Sequence, residues 1–175
     1  MSNWKILIPE ASDNFVLNPM GMATGGYTPV TTGTIGPVTT YSYFGYKCYR
    51  LQANADNAGA YFDLYALTNN IHYLTLRIHS ASDAVTFDCS LDNTNYSEPV
   101  LLGVEGSWSV YGVQFPAAQA NGSLRLYILQ KGASAIDLYI GHIQVESKPY
   151  PTTPITGDRM GFCDDGYYWN GLPHA

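Results

Sequence analysis

Short stretches in which apolar and polar residues alternate recur along the chain, and they predict a protein built from β-strands. The pattern is clearest in the segment 71–80. There Leu74, Leu76 and Ile78 fall on one face and the residues between them fall on the other. Alternation with a period of two is typical of a strand that is buried on one side. The predicted strands cover residues 4–8, 15–17, 46–53, 60–65, 71–80, 85–91, 100–104, 108–115, 124–129 and 135–146.

The last predicted strand, 135–146, changes its pattern at a glycine. Its apolar residues occupy even positions up to Ile140 and odd positions from Ile143 onwards, and Gly141 lies at the change. Because a shift of one residue turns every side chain to the opposite face, a continuous strand with this pattern needs a β-bulge, for which glycine is the usual residue. We expect the chain to be organised around this strand, which by changing face midway can serve two packed layers.

Evenly spaced short strands predict two antiparallel sheets that pack face to face. The segments 71–80 and 85–91 are predicted to form one half-buried hairpin, and 100–104 a short edge strand. The segment 20–40 is rich in Gly, Thr and Pro with little periodicity, which favours a long surface loop. The predicted core consists of Leu74, Leu76, Ile78, Val85, Phe87, Leu124, Leu126, Ile128, Ile136 and Leu138.

Composition and charge exclude several classes of partner and cofactor. The 175 residues carry a formal net charge of −6 with no cluster of Lys or Arg, so the basic surface of a nucleic-acid binder is missing. No apolar run approaches the roughly 18 residues that a membrane span needs, so no membrane insertion is expected. Cys48, Cys89 and Cys163 have no CxxC spacing, and the four histidines show no paired metal spacing. We therefore expect free thiols and no metal site.

The chain changes character after Glu146. Three prolines between 149 and 154 exclude regular strand pairing, so we divide the chain into a β domain, 1–147, and an irregular extension, 148–175. The extension cannot form a core of its own, yet its aromatic residues would be unusually dense for a solvated tail. We expect an assembly element that packs against the sandwich or a neighbouring copy. Its contacts are predicted to be made by Phe162, Tyr167, Tyr168 and Trp169.

Several sequence stretches, taken in order, look like those of a known family. They are Asn18-Pro19, GYKCYRLQA at 45–53, HYLTLRIHS at 72–80, WSVYGVQF at 108–115, and IGHIQVE at 140–146 followed by YPTTPITGD. Together they resemble the carbohydrate-binding-module-like jelly rolls of the family four and nine type. The terminal GFCDDGYYWNGLPHA is similar to a segment that follows such modules in bacteriophage tail and other virion proteins. The resemblance covers most of the chain.

The resemblance implies a jelly-roll module on the surface of a phage particle, an extracellular setting in which it attaches to cell-surface glycans. Other copies of the chain or other virion proteins are the further partners that it implies, as in a symmetric homo-oligomer. Such modules often hold a structural calcium with an acidic residue after the Asn-Pro and an Asp in the last strand. Here those neighbourhoods read NPMGMATGG and YIGHIQVE, with Gly141 where that Asp would stand. We therefore expect no cofactor.

Binding of sugars needs aromatic faces beside polar groups in a shallow groove. The positions that alternate with the predicted core supply both on three strands, with His79 and Arg125 among the flanking residues. The alternative is that tyrosine favours a pleated, half-exposed surface, or that this face is buried against a partner. The predicted ligand-binding residues are Tyr61, Asp63, Tyr65, Tyr73, Arg77 and Tyr127. A second candidate is an irregular loop that presents Tyr41, Tyr43, Phe44 and Tyr46, unless these residues pack over the end of the sandwich.

Catalysis has little support in the sequence. No G-x-S-x-G, H-E-x-x-H or P-loop pattern occurs, and any pair of carboxylates for glycoside hydrolysis would be an arbitrary choice among scattered residues. We predict a protein that is not an enzyme. Three classes stay open: a glycan-binding module, a purely structural virion or filament subunit, and a polysaccharide hydrolase.

Overall fold

Ten β-strands form the architecture of the part of the chain that the structure describes. The computed structural model describes residues 14–17, 20–21, 25–80, 86–117 and 124–152. Its strands are Tyr27–Val30 (β1), Thr34–Tyr43 (β2), Tyr46–Ala53 (β3), Gly59–Asp63 (β4), His72–Ser80 (β5), Phe87–Ser90 (β6), Val100–Glu105 (β7), Trp108–Phe115 (β8), Arg125–Gln130 (β9) and Ile136–Glu146 (β10).

The strands form two sheets in which every pairing is antiparallel. One sheet has four strands in the order β1-β4-β9-β6, and the other has six in the order β2-β3-β10-β5-β8-β7. The prediction of a jelly-roll sandwich of two antiparallel sheets is confirmed. Strand β7 lies at an edge, as the sequence predicts for 100–104.

The core lies between the two sheets and is nearly the predicted one. The core residues that are confirmed as buried are Leu74, Leu76, Ile78, Phe87, Leu126, Ile128, Ile136 and Leu138. The prediction that Leu124 is a core residue is wrong, because its side chain is 48% exposed. It precedes the first residue of β9, and parity indicates the side that a residue faces but not where the opposite sheet ends. Val85 lies outside the described residues.

Strand β10 contains the predicted bulge. Its pairing with β5 shifts register between Ile140 and His142, on either side of Gly141. The extra residue returns the later apolar side chains to the face of the earlier ones, so Ile143 and Val145 lie in the same core as Ile140. The apolar residues of this strand therefore serve one layer and not two. Its other face, toward the outside of the sandwich, carries polar and aromatic residues.

The predicted hairpin of 71–80 with 85–91 is wrong. Strand β5 pairs with β8 and β10, whereas β6 pairs with β9 in the opposite sheet. Both strands point apolar residues into the same core from opposite sides. Alternation identifies such strands without identifying their partners.

The predicted surface loop at 20–40 is also wrong, since it contains β1 and most of β2. Both are edge strands, and both include a proline, Pro29 and Pro37. Proline is tolerated at an edge because its missing N–H faces away from the sheet. The predicted strand at 15–17 is reduced to one isolated bridge, between Val16 and Leu64. The predicted strand at 4–8 lies outside the described residues.

Cys48 and Cys89 are free and buried, as expected, and Cys163 lies outside the described residues. Burial raises the pKa of the Cys48 thiol to about 11 and that of Cys89 well above its ordinary value. In the described ranges, no helix is long and apolar enough to cross a membrane.

Candidate functional site

The six predicted ligand-binding residues do not form a single surface. Tyr61 and Asp63 on β4 and Tyr127 on β9 belong to the four-stranded sheet, whereas Tyr73 and Arg77 on β5 belong to the six-stranded sheet. Because the two sheets pack core to core, their outer faces lie on opposite sides of the sandwich. The single binding face that the sequence predicts is therefore divided in two.

On the four-stranded sheet, the predicted aromatic rings are already in contact with other side chains. The Arg125 guanidinium lies 4.2 Å from the centre of the Tyr61 ring, and the Tyr61 and Tyr127 rings are 5.5 Å apart. Tyr127 is only 6% exposed. Tyr65 lies just beyond β4 with its ring 5.5 Å from Phe15, in an edge-on contact. Tyr65 is the most exposed of these rings, at 43%.

Arg77 is a buried structural residue rather than an accessible ligand group. Its side chain is 3% exposed, and its Nε and Nη2 approach the Glu105 carboxylate at 3.4 and 3.3 Å. Tyr43 donates a second hydrogen bond to Glu105 at 2.8 Å. Burial, together with the hydrogen bond to Glu105, raises the pKa of Tyr43 to about 12. Tyr73 is half-buried against Gly112, and burial raises its pKa.

A different set of side chains comes together on the outer face of the six-stranded sheet. We call it the aromatic–polar patch, and it consists of Tyr41, Arg50, Gln52, His79, Asp137 and Tyr139. The Tyr41 ring lies 4.1 Å from His79 and 4.6 Å from Tyr139. The Arg50 guanidinium lies 5.4 Å from the centre of the Tyr139 ring.

The polar half of the patch is a hydrogen-bond network in which Arg50 and Gln52 both donate to Asp137. Arg50 donates from Nε to Oδ1 at 2.9 Å and from Nη2 to Oδ2 at 2.6 Å, and Gln52 donates to Oδ2 at 3.1 Å. The hydrogen bonds from Arg50 are the main cause of the lowered pKa of Asp137, and they raise the pKa of Arg50 in turn. The network holds its planar groups in fixed positions at the surface.

Local strand geometry explains how Tyr41 joins the patch. The pairing of β2 with β3 shifts between Val38 and Ser42, and a bulge of this kind re-aims the side chains that it contains. Beyond it, Phe44 and Gly45 have φ angles of 49° and 80°, which closes a tight two-residue turn between β2 and β3. The predicted irregular loop is therefore a regular hairpin.

The four aromatics of this hairpin have different environments. Tyr41 is 37% exposed in the patch, and Phe44 is 66% exposed at the turn. Tyr43 is buried with its ring 5.5 Å from that of Trp108. Tyr46 packs against the buried cluster to which Tyr43 and Trp108 belong. Two aromatics of the hairpin are therefore exposed, and two pack on the sheet.

Sequence reasoning missed Arg50, Gln52, Asp137 and Tyr139. The available signal was their parity, since each alternates with a core residue on β3 or β10. Strand pairing then places Gln52 opposite Asp137 and Arg50 opposite Tyr139.

A groove continues the patch along the end of β10. It has a volume of about 480 Å³, and Gln52 and Asp137 belong to both the groove and the patch. Its lining is formed by Thr32, Thr34, Gln52, Ala53, Asn54, Ala135, Ile136 and Asp137. The hydroxyl and amide side chains of the groove therefore lie beside the polar half of the patch.

Within the described ranges, no three His, Cys, Asp or Glu side chains are grouped so that they could hold a metal ion. The predicted assembly residues Phe162, Tyr167, Tyr168 and Trp169 lie outside the described residues.

No protein-family model matches this chain, and no curated protein matches it. Solved structures do. The CBM22-1 xylan-binding domain of Paenibacillus barcinonensis Xyn10C is 17% identical with a TM-score of 0.54, over 79% of this chain and 98% of that domain. The fold is a jelly-roll β-sandwich like that of the family 22 carbohydrate-binding modules. The CBM22-2 domain of the same enzyme gives 12% identity and a TM-score of 0.55, over 79% of this chain and 99% of that one.

The same fold occurs in a Clostridium thermocellum enzyme. The C-terminal family 22 module of its Xyn10B is 14% identical with a TM-score of 0.54, over 82% of this chain and 96% of that chain. The CBM22-1-GH10 modules of Xyn10B, solved with xylohexaose, give 12% identity and a TM-score of 0.56 over 84% of this chain. This chain spans only 31% of that longer one. The resemblance to carbohydrate-binding modules is thus confirmed at the level of the fold.

Proposed function

We propose that the chain is a non-catalytic glycan-binding module whose site is the aromatic–polar patch with its adjoining groove. One observation carries the proposal: aromatic rings and a hydrogen-bonded Arg50–Asp137–Gln52 network lie side by side on an outer sheet face. A sugar ring has an apolar face that packs on aromatic side chains and a rim of hydroxyl groups that need donors and acceptors. In the patch, the Tyr41 ring is exposed for the apolar contact and packs on Tyr139, which is only 8% exposed, while the Arg50–Asp137–Gln52 network offers the polar contacts.

The network also limits the cost of ordering the site on binding. The two hydrogen bonds between Arg50 and Asp137 hold these side chains before any ligand arrives, so fewer rotamers have to be fixed. The guanidinium keeps further N–H donors and the carboxylate keeps further lone pairs, which suits hydroxyl groups that both donate and accept. The carboxylate balances the charge of the guanidinium, so recognition here rests on hydrogen bonds.

The comparisons support this class of function. The Paenibacillus domains that share the fold are xylan-binding domains. Xylo-oligosaccharides are therefore among the first ligands to test. The set Tyr61, Asp63, Tyr65 and Tyr127 stays a prediction as a second glycan surface, as does Tyr73 beside the buried Arg77.

The biological setting stays part of the proposal. We infer attachment to cell-surface glycans at the surface of a phage virion, with other copies of the chain or other virion proteins as neighbours. What supports it is the similarity of the C-terminal GFCDDGYYWNGLPHA to a segment of virion proteins. A structural subunit without sugar binding is the alternative that the experiment must separate.

The test is calorimetric titration of the full chain with neutral and acidic oligosaccharides, xylohexaose among them, followed by an assay for released reducing ends. The proposal expects saturable binding of at least one glycan with no release over a day. Absence of binding across the panel would favour the structural subunit. Release of reducing ends would favour a hydrolase.

A further inference from the structure

Strand β7 is an edge strand with exposed apolar side chains. Val100, Leu101, Leu102 and Val104 are 66%, 54%, 47% and 65% exposed. Among the described residues, β7 pairs only with β8, so no described strand pairs with its far side. An exposed apolar edge of this kind is a template for another segment of polypeptide.

The other three sheet edges carry features that discourage pairing. Strands β1 and β2 contain Pro29 and Pro37, which have no N–H to offer on the open side. Strand β6 is covered by Ser97, which exchanges two backbone hydrogen bonds of 2.9 Å with Cys89. Of the four edges, β7 alone is both apolar and uncovered among the described residues.

The charge at β7 is directed away from its edge. The strand contains no proline, lysine or arginine, and its one acidic residue, Glu105, accepts hydrogen bonds from Tyr43 and Arg77 at the sheet face. A bulge between Leu101 and Gly103 interrupts the pairing with β8. The partner that suits this edge is therefore apolar or aromatic.

The described chain ends over β10, within reach of this edge. Beyond β10 it crosses the outer face of the six-stranded sheet, where Gln114 on β8 donates to the Pro149 carbonyl at 3.0 Å and the Thr152 N–H donates to Glu146 at 3.2 Å. From β10 to β7 is three strand spacings, about 14 Å. About five extended residues cover that distance. Phe162 follows Thr152 by ten residues, so the chain that continues from Thr152 is long enough to reach β7.

We propose that residues 153–175 of the same chain pack along β7 and cover it. This segment contains aromatic side chains that could cover the apolar edge. They are Phe162, Tyr167, Tyr168 and Trp169. Aromatic side chains are the usual anchors of such contacts. The proposal gives the predicted assembly element a defined docking surface within its own molecule, and it is independent of glycan binding.

Hydrogen exchange read by mass spectrometry tests the proposal on the full chain, a Trp169→Ala variant and a chain that ends at Thr152. The peptide that contains β7 should exchange at least about tenfold faster in both altered proteins than in the full chain. A peptide from β9 is the control for general unfolding and should be unchanged. Equal β7 exchange in the full chain and in Trp169→Ala would overturn the proposal, even if the shortened chain unfolds.

A second experiment changes β7 and measures the proteolysis of the C-terminal segment. Val104→Asp should increase chymotryptic cleavage at Phe162 to Trp169 at least about fivefold, because the segment loses its apolar surface. Leu124→Asp is the matched control at an exposed leucine elsewhere, and it should leave cleavage unchanged. Equal cleavage in the Val104→Asp variant and in wild type would contradict the proposal. Protection of β7 that falls on dilution, with a solution mass of two copies, would assign the edge to a second molecule and also contradict it.

Discussion

Arg50 and Asp137 are joined by two parallel hydrogen bonds, of 2.9 and 2.6 Å, across the adjacent strands β3 and β10. The pair is partly exposed, with 40% of the Arg50 side chain and 31% of the Asp137 side chain accessible. Exposed ion pairs contribute little to stability, so this geometry is better suited to presenting fixed polar groups than to holding the sheets together. The proposed role of the pair in glycan binding follows from that position.

Replacing Asp137 should weaken glycan binding and remove its acid dependence. Arg50 lowers the pKa of Asp137 in the folded protein, so the charged pair is present above the ordinary Asp pKa of about 4 and is lost as pH falls through the lower folded value. The affinity difference between wild type and Asp137→Asn should therefore be constant from about pH 7 to 5 and shrink only below about pH 4. Asp137→Asn should bind about tenfold more weakly at neutral pH. Titration calorimetry of both proteins at three pH values checks this, and a difference that shrinks between pH 7 and 5 would contradict this role.

Glu105→Gln should destabilise the fold because it removes the charge that faces buried Arg77. Burial alone would raise the pKa of Glu105, but the hydrogen bonds from Arg77 and Tyr43 lower it overall. Breaking a fully buried pair costs about 3 to 5 kcal/mol. Here we expect about 1 to 2 kcal/mol at neutral pH, because Glu105 is half exposed and solvent screens the pair.

The same variant carries a pH signature. Since the folded pKa of Glu105 is lowered, its contribution is present above the ordinary Glu pKa of about 4.3 and lost as pH falls through the folded value. The stability difference between wild type and Glu105→Gln should therefore shrink below about pH 4. Urea denaturation at about pH 7 and pH 3.5 measures it, and a difference that grows in acid would rule out this account of the pair.

Gly141→Ala should be costly because the bulge in β10 has no room for a side chain. A Cβ there would lie 2.7 Å from the Cβ of Tyr43 and 2.8 Å from Cζ3 of Trp108. Such overpacking typically costs about 1 to 3 kcal/mol. Gly36→Ala on β2 is the matched control, since its Cβ would meet nothing within 4 Å. Equal denaturation midpoints for the two variants would refute the predicted crowding.

Core truncations test the sandwich itself. Leu76→Ala and Leu126→Ala remove fully buried side chains and should each cost about 2 to 5 kcal/mol in free energy of unfolding. Leu124→Ala, at a half-exposed position, should stay within about 0.5 kcal/mol. Near-neutral results for both buried leucines would be incompatible with the packing described above.

Much of the sandwich could be predicted from periodicity, because side chains that alternate along a strand report directly on burial. The bulge at Gly141 was readable for the same reason, as a change of parity at a glycine. The pairing partners of the strands could not be predicted from the sequence. Strands β5 and β6 are neighbours in sequence but lie in different sheets, and alternation carries no information on which strand pairs with which.

The candidate site depended on those partners and was predicted only in part. Tyr61 and Tyr73 share a parity class but lie on opposite sides of the molecule. Tyr41 was recognised as part of an aromatic group, yet its neighbours His79 and Tyr139 come from β5 and β10. Only the register of the six-stranded sheet brings these three rings together.

The central claim is that glycan binding takes place on the outer face of the six-stranded sheet, and paired alanine variants test it most directly. Calorimetric titration would compare Tyr41→Ala and Arg50→Ala with Tyr61→Ala and Tyr65→Ala, using the glycan that wild type binds best. We predict that the first two variants lose at least about tenfold in affinity and that the second two stay within about twofold, with all four folded. Loss of affinity in Tyr61→Ala or Tyr65→Ala, with Tyr41→Ala and Arg50→Ala unchanged, would place the site on the opposite sheet and contradict the claim.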